Sequence, residues 1–388
     1  LVSKSGGAFD YVAGLYYTRE KAHSTSKEFT PGMVQFAGLG RTDDLEYFSD
    51  EHTEYTEIAA FGELTWHVTD RWQLTGGLRT FELKDDAVSC TALPLYDDPF
   101  SDAITFSCAD GSSKVRKTIY KANTSYQLTA DLLLYGTFSQ GFRRGGVNTL
   151  PDGAQFAGIT EAQRKYIPDT VDNFELGVRS QWFDRALTLN AALFHVDWQD
   201  VQLASLAPGN LPIIANAGKA TSDGVELESE WKATDALAFS FGYAYTKAEI
   251  AETYYNRNED GDILNTFLKG TALPGTPEHQ VSLAVDYNLP TLPVGELSLH
   301  ADVSHSSKVT TSAEKDSLDY RTLEGFSEVN ASAMLIPSDG VKVRFYVTNL
   351  TNEYAFVASQ GPSTYGLQGQ FLIPIRPRTV GLSISKNF

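Results

Sequence analysis

The 388 residues carry 31 basic and 49 acidic side chains, a formal net charge of −18, and the mean hydropathy is −0.24. That balance excludes the basic stripe of a nucleic-acid binder, and no stretch approaches the roughly 18 consecutive apolar residues of a membrane helix. The length allows several soluble domains or one large barrel, which hydropathy cannot separate because only alternate residues of a membrane strand meet lipid. The 19 Tyr and 22 Phe against 2 Met suit strands better than helices.

In chain order, "LVSKSGGAFD" has no initiator Met, basic n-region or apolar h-region, and "LVSK" reads as the tail of a preceding strand. Alternating stretches follow at 9–18, 55–68, 72–85, 114–128, 132–142, 172–183 and 187–202. Then Val225, Leu227 and Trp231 alternate with Glu226, Glu228 and Glu230, and Phe239, Phe241, Tyr243 and Tyr245 with small or polar neighbours. Four more stretches begin at Val281, Leu297, Val329 and Val341, and the fourteenth closes the chain as "RTVGLSISKNF". Period-two alternation marks strands with two unlike faces, and each stretch is near the 9–11 residues that a tilted strand needs to cross a bilayer.

The connections alternate in length. Short ones lie at 69–71, 129–131, 184–185, 234–235, 289–295 and 337–340; long polar segments run near 19–54, 86–113, 143–171, 203–224, 247–278, 306–325 and 348–374. Compact soluble folds seldom sustain loops beyond about 12–15 residues, whereas outer-membrane barrels pair short periplasmic turns with long external loops. Trp66, Trp72, Trp182 and Trp231 all fall near short turns, where an interfacial girdle belongs. Lys386, the one charge on the apolar parity of the last strand, is placed to snorkel. Cys90 and Cys108, close together in one external polar segment, are expected to form a local disulfide in an oxidising compartment. The expectation is an all-β, transmembrane antiparallel β-barrel.

The closing strand is similar to the C-terminal signal read by the outer-membrane barrel assembly machinery, with Phe388 as its terminal aromatic; Lys386 departs from the usual apolar pattern. "LLLYGTFSQGFRRGGVN", "TVDNFELGVRSQWFDRALTLNAALFHVDWQDVQ", "NAGKATSDGVELESEWKATDALAFSFGYAYTKAEI", "LPGTPEHQVSLAVDY" and "VTNLTNEYA" resemble TonB-dependent receptors over nearly the whole chain. The resemblance implies a 22-stranded barrel with an N-terminal plug, in the outer membrane of a Gram-negative bacterium. It also implies import of a scarce nutrient, mostly a ferric siderophore, energised through TonB. With fourteen strands and no plug-like segment or TonB box, residues 1–388 are expected to be the C-terminal part of such a barrel.

No catalytic constellation, cofactor motif or metal cluster is read from the sequence. "GTFSQG" lacks the G-x-S-x-G spacing, and His195, Asp197 and Asp200 read as a strand end at the interface. Ligand contacts are expected in the loops. Arg143 and Arg144 suit anionic groups through paired hydrogen bonds, and Tyr254, Tyr255, Tyr365 and Gln368 offer aromatic and amide surfaces. Loop packing, or contact with outer-membrane lipid for the arginines, is the competing reading. "NRNEDGD" (256–262) starts like a calcium loop, but Phe267 stands at the twelfth position, so a solvated acidic turn is the plainer reading. Glu226, Glu228 and Glu230 are expected to face the lumen, with Arg179, Lys342 and Arg344 on the same parity, and to meet cations of a plug. A passive fourteen-stranded porin and a surface adhesin remain the competing functions.

Overall fold

The computed structural model describes residues 1–3, 6–97, 100–148, 150, 158–208, 211–290, 292–317, 320–337, 340–360 and 371–386. Fourteen strands make one sheet in which neighbours in sequence are neighbours in space and every pairing is antiparallel. They are β1 (Phe9–Phe29), β2 (Leu45–Thr69), β3 (Trp72–Ala92), β4 (Ser107–Thr129), β5 (Leu132–Arg143), β6 (Asp169–Trp182) and β7 (Leu187–Gln199). The series continues with β8 (Lys219–Lys232), β9 (Leu237–Ile250), β10 (His279–Asn288), β11 (Glu296–Ser306), β12 (Phe326–Ile336), β13 (Val341–Thr348) and β14 (Thr379–Lys386). Leu1–Ser3 lie antiparallel along β1, the Ser3 N–H donating to the Tyr11 carbonyl at 2.9 Å.

Register assigns the faces, because directly paired residues share a side of the sheet. One row runs Tyr135–Gly177–Ala192–Glu226–Ala244–Gln280, small and polar throughout apart from Tyr135. The adjacent row, on the opposite face, runs Leu176–Leu193–Val225–Tyr245. On that second face Leu176 is 67 % and Leu193 58 % exposed, and Phe345, Leu382 and Ile384 stand equally open. A sheet that leaves its large aliphatic side chains outward is stable only in an apolar solvent, so this face is the lipid face and the polar one lines the lumen. Trp66, Trp72, Trp182 and Trp231 are partly exposed around the turn end, Trp66 stacked with Phe9 and Trp231 with Phe239, which forms the girdle.

The first four strands correct the sequence reading. Segments 19–54 and 86–113 are not loops throughout: β1 to β4 run 21 to 25 residues, far beyond the bilayer. Outward positions of β2 are apolar or neutral from Trp66 to Ile58, about 26 Å along the strand at roughly 3.3 Å per residue. From the Ile58 row upward, outward positions on the neighbouring strands carry Arg19, Lys21, Glu54, Glu82, Lys114 and Arg116, joined across strands as Arg19–Glu54, Lys21–Glu54, Lys114–Glu82 and Arg116–Glu82. Hydropathy alternation ends where lipid ends because water wets both faces above it; the hydrogen-bonded ladder simply continues. The Cys90–Cys108 disulfide joins directly paired residues of β3 and β4 within this extension.

Little of the buried apolar surface lies in the membrane-spanning ladder. One cluster (Val201, Ala217, Ala220, Ile250, Phe267, Leu273 and Ala313) ties together the loop ends after β7, β9 and β11. A second (Leu150, Ile159, Ala207, Ile213 and Ala215) joins the segment after β5 to the short hairpin at 202–216. At the opposite end the β6–β7 turn puts Phe183, Asp184 and Arg185 at φ of 55°, 53° and 69°, three consecutive left-handed residues without glycine.

Candidate functional site at the external mouth of the lumen

Directly after β5, Gly146 and Val147 lean back over the lumen face of the long strands, where Val147 meets Gly111 of β4. Val147 sits where a Cβ on Gly111 would lie, 2.4 Å from Val147 Cγ1, so only glycine permits that approach on β4. Beneath the segment Tyr55, Ala59, Phe81 and Leu83 form a buried lumen-side patch, and Phe142 stacks on Phe81 at 4.1 Å. The two adjacent arginines of "FRRGG" then do different work. Arg143 is turned to the side, where its Nε donates to Asp169 Oδ2 at 2.8 Å and Nη2 donates to the Gln202 carbonyl at 3.1 Å. Its backbone N–H also donates to Asp169 Oδ1, and its guanidinium lies 4.7 Å above the Trp198 ring. Asp169 is almost wholly buried, and Arg143 is the cation that neutralises it.

Arg144 projects over the lumen instead. Its guanidinium lies 4.4 Å above the Tyr55 ring and makes one 3.3 Å contact with Glu20, and the side chain stays half-exposed. Burial raises the carboxyl pKa of nearby Asp85, in the strand extension beyond the apolar band, while Arg144 pulls it down. Burial also raises the pKa of the Tyr166 phenol beside them. One level lower Arg79 pairs with Glu57 and lies 5.0 Å over Tyr16. This mouth therefore presents a partly free guanidinium framed by phenol rings, a surface that can take a planar or anionic group.

The other expected contacts divide. Tyr254 is half-buried against Phe267 in the loop core, the packing that the competing reading describes. Tyr255 is exposed with Arg257 5.4 Å over its ring. Tyr365, Gln368 and Phe388 lie outside the described residues. In "NRNEDGD" the Asn258 Oδ1 accepts from the Asp262 N–H at 2.8 Å and Arg257 donates to the Gly261 carbonyl, closing a turn. Asn256 points inward instead: its Nδ2 donates to Ser205 Oγ at 3.0 Å and to the Leu206 carbonyl at 2.7 Å, while its Oδ1 accepts from Gln163. Asn265 completes this buried network by donating to Glu314 at 2.9 Å, so side chains of four loops meet in one place. Sequence reasoning missed the network, because residues 163, 205, 256, 265 and 314 carry no common spacing.

Register puts Glu226, Glu228 and Glu230 on the lumen face, with Arg179 in the Glu228 row and Arg344 and Lys342 on the same face farther round. Glu226, Glu228, Arg179, Tyr135 and Glu175 line one recess of the wall. Tyr135 lies flat across Gly177 to donate to Glu175 at 2.6 Å, and Arg179 lies 5.4 Å over its ring. Among the described residues no ion pair joins the glutamate ladder to a cation. His195 bonds Asp223 at 2.7 Å and lies 3.4 Å from Asp197, an exposed polar rim on the outer face.

Sequential antiparallel strands, aliphatic outside, polar inside and girdled by tryptophan, define a membrane-spanning β-barrel wall. Comparison with known proteins identifies the kind. The family described as "TonB dependent receptor-like, beta-barrel" matches residues 3–350, and the chain belongs to it, which places it in the outer membrane of Gram-negative bacteria. It is 32 % identical over 225 residues to the pesticin receptor of Yersinia pestis, covering 58 % of this chain and 29 % of that protein. Among solved structures it resembles the ferric yersiniabactin uptake receptor FyuA from Yersinia pestis, with a TM-score of 0.76 at 22 % identity over 98 % of this chain and 51 % of that one. It also resembles the siderophore receptor PiuA from Acinetobacter baumannii, with a TM-score of 0.68 at 18 % identity over 99 % and 54 %. The chain thus spans about half the length of these structures and less of the curated relative.

Proposed function

We propose that the protein forms the C-terminal fourteen strands of an outer-membrane importer for a small nutrient chelate of the ferric siderophore class, energised through TonB. The observation that carries this reading is Arg144, half-exposed over Tyr55 at the lumen side of the external mouth. A guanidinium framed by phenols recognises the anionic and aromatic groups with which such chelates hold iron. The names of the relatives, a siderophore receptor and a ferric yersiniabactin uptake receptor, support the same class. In this reading the glutamate ladder meets cations of a plug that fills the lumen and is released when TonB pulls.

The test is uptake of radiolabelled iron from ferric siderophores by iron-starved cells with and without the gene, in TonB-positive and TonB-negative backgrounds. Uptake that needs both the protein and TonB supports the importer. Saturable surface binding with no TonB-dependent entry would replace it with an adhesin-type barrel, and TonB-independent conductance with a diffusion channel.

A further inference from the structure

The charged extension of β1 and β2 holds a second constellation, outside the lumen and away from the mouth. His23 and His52 are direct cross-strand partners, and their imidazoles stack at 4.0 Å between centroids and 9° between planes. Asp50, two residues before His52 on the same strand and diagonal to His23, is on the same face: its Oδ1 lies 2.7 Å from His23 Nε2 and 3.3 Å from His52 Nε2. One ligand atom from each residue falls within 4.8 Å of the others, and all three side chains reach solvent.

Without a cation this arrangement is poorly balanced. Two ring nitrogens compete for one carboxylate oxygen, and two protonated imidazoles directly opposite one another would repel. Two imidazole nitrogens and a carboxylate oxygen are a borderline donor set for Zn²⁺, Cu²⁺ and Ni²⁺. A tetrahedral ion with bonds of about 2.0 Å needs ligand atoms roughly 3.3 Å apart, so closing the set takes side-chain movement of the order of 1 to 2 Å, with one ring tilting out of the stack so that both in-plane lone pairs meet the ion. The backbone under it is braced, since Asp50 pairs with Cys90, and Cys90 is disulfide-bonded to its own partner Cys108. Register therefore continues from the carboxylate ligand directly into the covalent cross-link.

We propose that His23, Asp50 and His52 form an external binding site for a divalent transition-metal ion, with at least one coordination position left open to water or to a donor from outside. Its parity is that of Tyr17 and Arg19, the outward face, so the ion would staple β1 to β2 above the membrane and would not lie on the path through the lumen.

The test uses protein extracted from outer membranes in detergent, stripped with chelator and titrated with Cu²⁺ as the probe, read by electron paramagnetic resonance. The expected result is one tight equivalent with superhyperfine structure from two nitrogens, displaced only by a large excess of Zn²⁺ because copper binds such donors more tightly. His52→Ala and His23→Ala should each weaken it at least tenfold, and Cys90→Ser/Cys108→Ser severalfold. Unchanged heat-modifiability on gels shows that each variant still forms its barrel; Asp50→Asn serves as a third, milder variant. A tight equivalent that survives His23→Ala/His52→Ala unchanged, or the absence of saturable binding in the unsubstituted protein, overturns the proposal.

Discussion

Arg143 holds Asp169 from three donors while both belong to strand ends that flank a long external segment: Nε at 2.8 Å, Nη2, and its own backbone N–H at 3.1 Å. The Gln202 N–H adds a fourth at 3.2 Å. The carboxylate is therefore a junction of β5, β6 and the hairpin after β7, and the arginine is what neutralises it.

Removing that arginine leaves a buried charge with backbone donors alone. Arg143→Ala should destabilise the junction by about 3 kcal/mol, seen as faster hydrogen exchange in peptides covering 143–148 and 200–206. Arg143→Lys should recover only part, because an ammonium cannot reproduce the forked contact. Exchange unchanged in Arg143→Ala would show that the backbone donors suffice.

Glu314 sets a pH dependence in the loops. Burial raises its carboxyl pKa, opposed by the hydrogen bond from Asn265. Its folded pKa lies above the unfolded one, so the folded network holds the proton more tightly. That stability is fully present below the unfolded pKa and is lost as pH rises through the folded value. Intrinsically corrected hydrogen exchange at 254–267 and 312–317 should therefore be slower in mildly acidic than in neutral buffer. Glu314→Gln should remove the difference while keeping an oxygen for Asn265.

The disulfide should stabilise only the extension. Closing an 18-residue separation is worth about 3 kcal/mol by chain entropy. Cys90→Ser/Cys108→Ser should raise exchange at 84–92 and 107–114, beyond the apolar band, and leave the bilayer-spanning part of β3 and β4 protected. Loss of protection across the whole pair would contradict the division of these strands into membrane and solvent halves.

Adjacent residues of β8 test the two faces. Leu227 faces lipid midway between Trp231 in the girdle and Asp223 at the charged rim, and Glu228 faces the lumen. Leu227→Lys should cost roughly 2–4 kcal/mol, as a cation at the midplane does on a barrel, and lower the yield of heat-modifiable protein in outer membranes. Glu228→Lys should assemble normally. Equal damage from both would mean that the register argument has the faces wrong.

The sheet was legible in the sequence because lipid imposes period two, so the fourteen strands seen among the described residues, their order and the turn end could be read from residues such as Val225 to Trp231. The upper halves of β1 to β4 were not, since Arg19, Glu54 and Arg116 sit on the lipid parity without lipid. Arg144 could be singled out by type and position, but its stacking on Tyr55, 89 residues earlier in the chain, is a product of the returning segment. His23, Asp50 and His52 carry no motif spacing at all; only the β1–β2 register brings them together.

The network around Asn256 has a consequence for exchange of parts between related receptors. A graft of segment 250–278 alone would carry Asn256 and Asn265 into a barrel lacking Gln163, Ser205 and Glu314, leaving buried amides unsatisfied and Phe267 without the pocket formed by Val201 and Ala313. The loops after β5, β7, β9 and β11 are thus one inheritable unit, and a chimera that hopes to transfer specificity must move all four together.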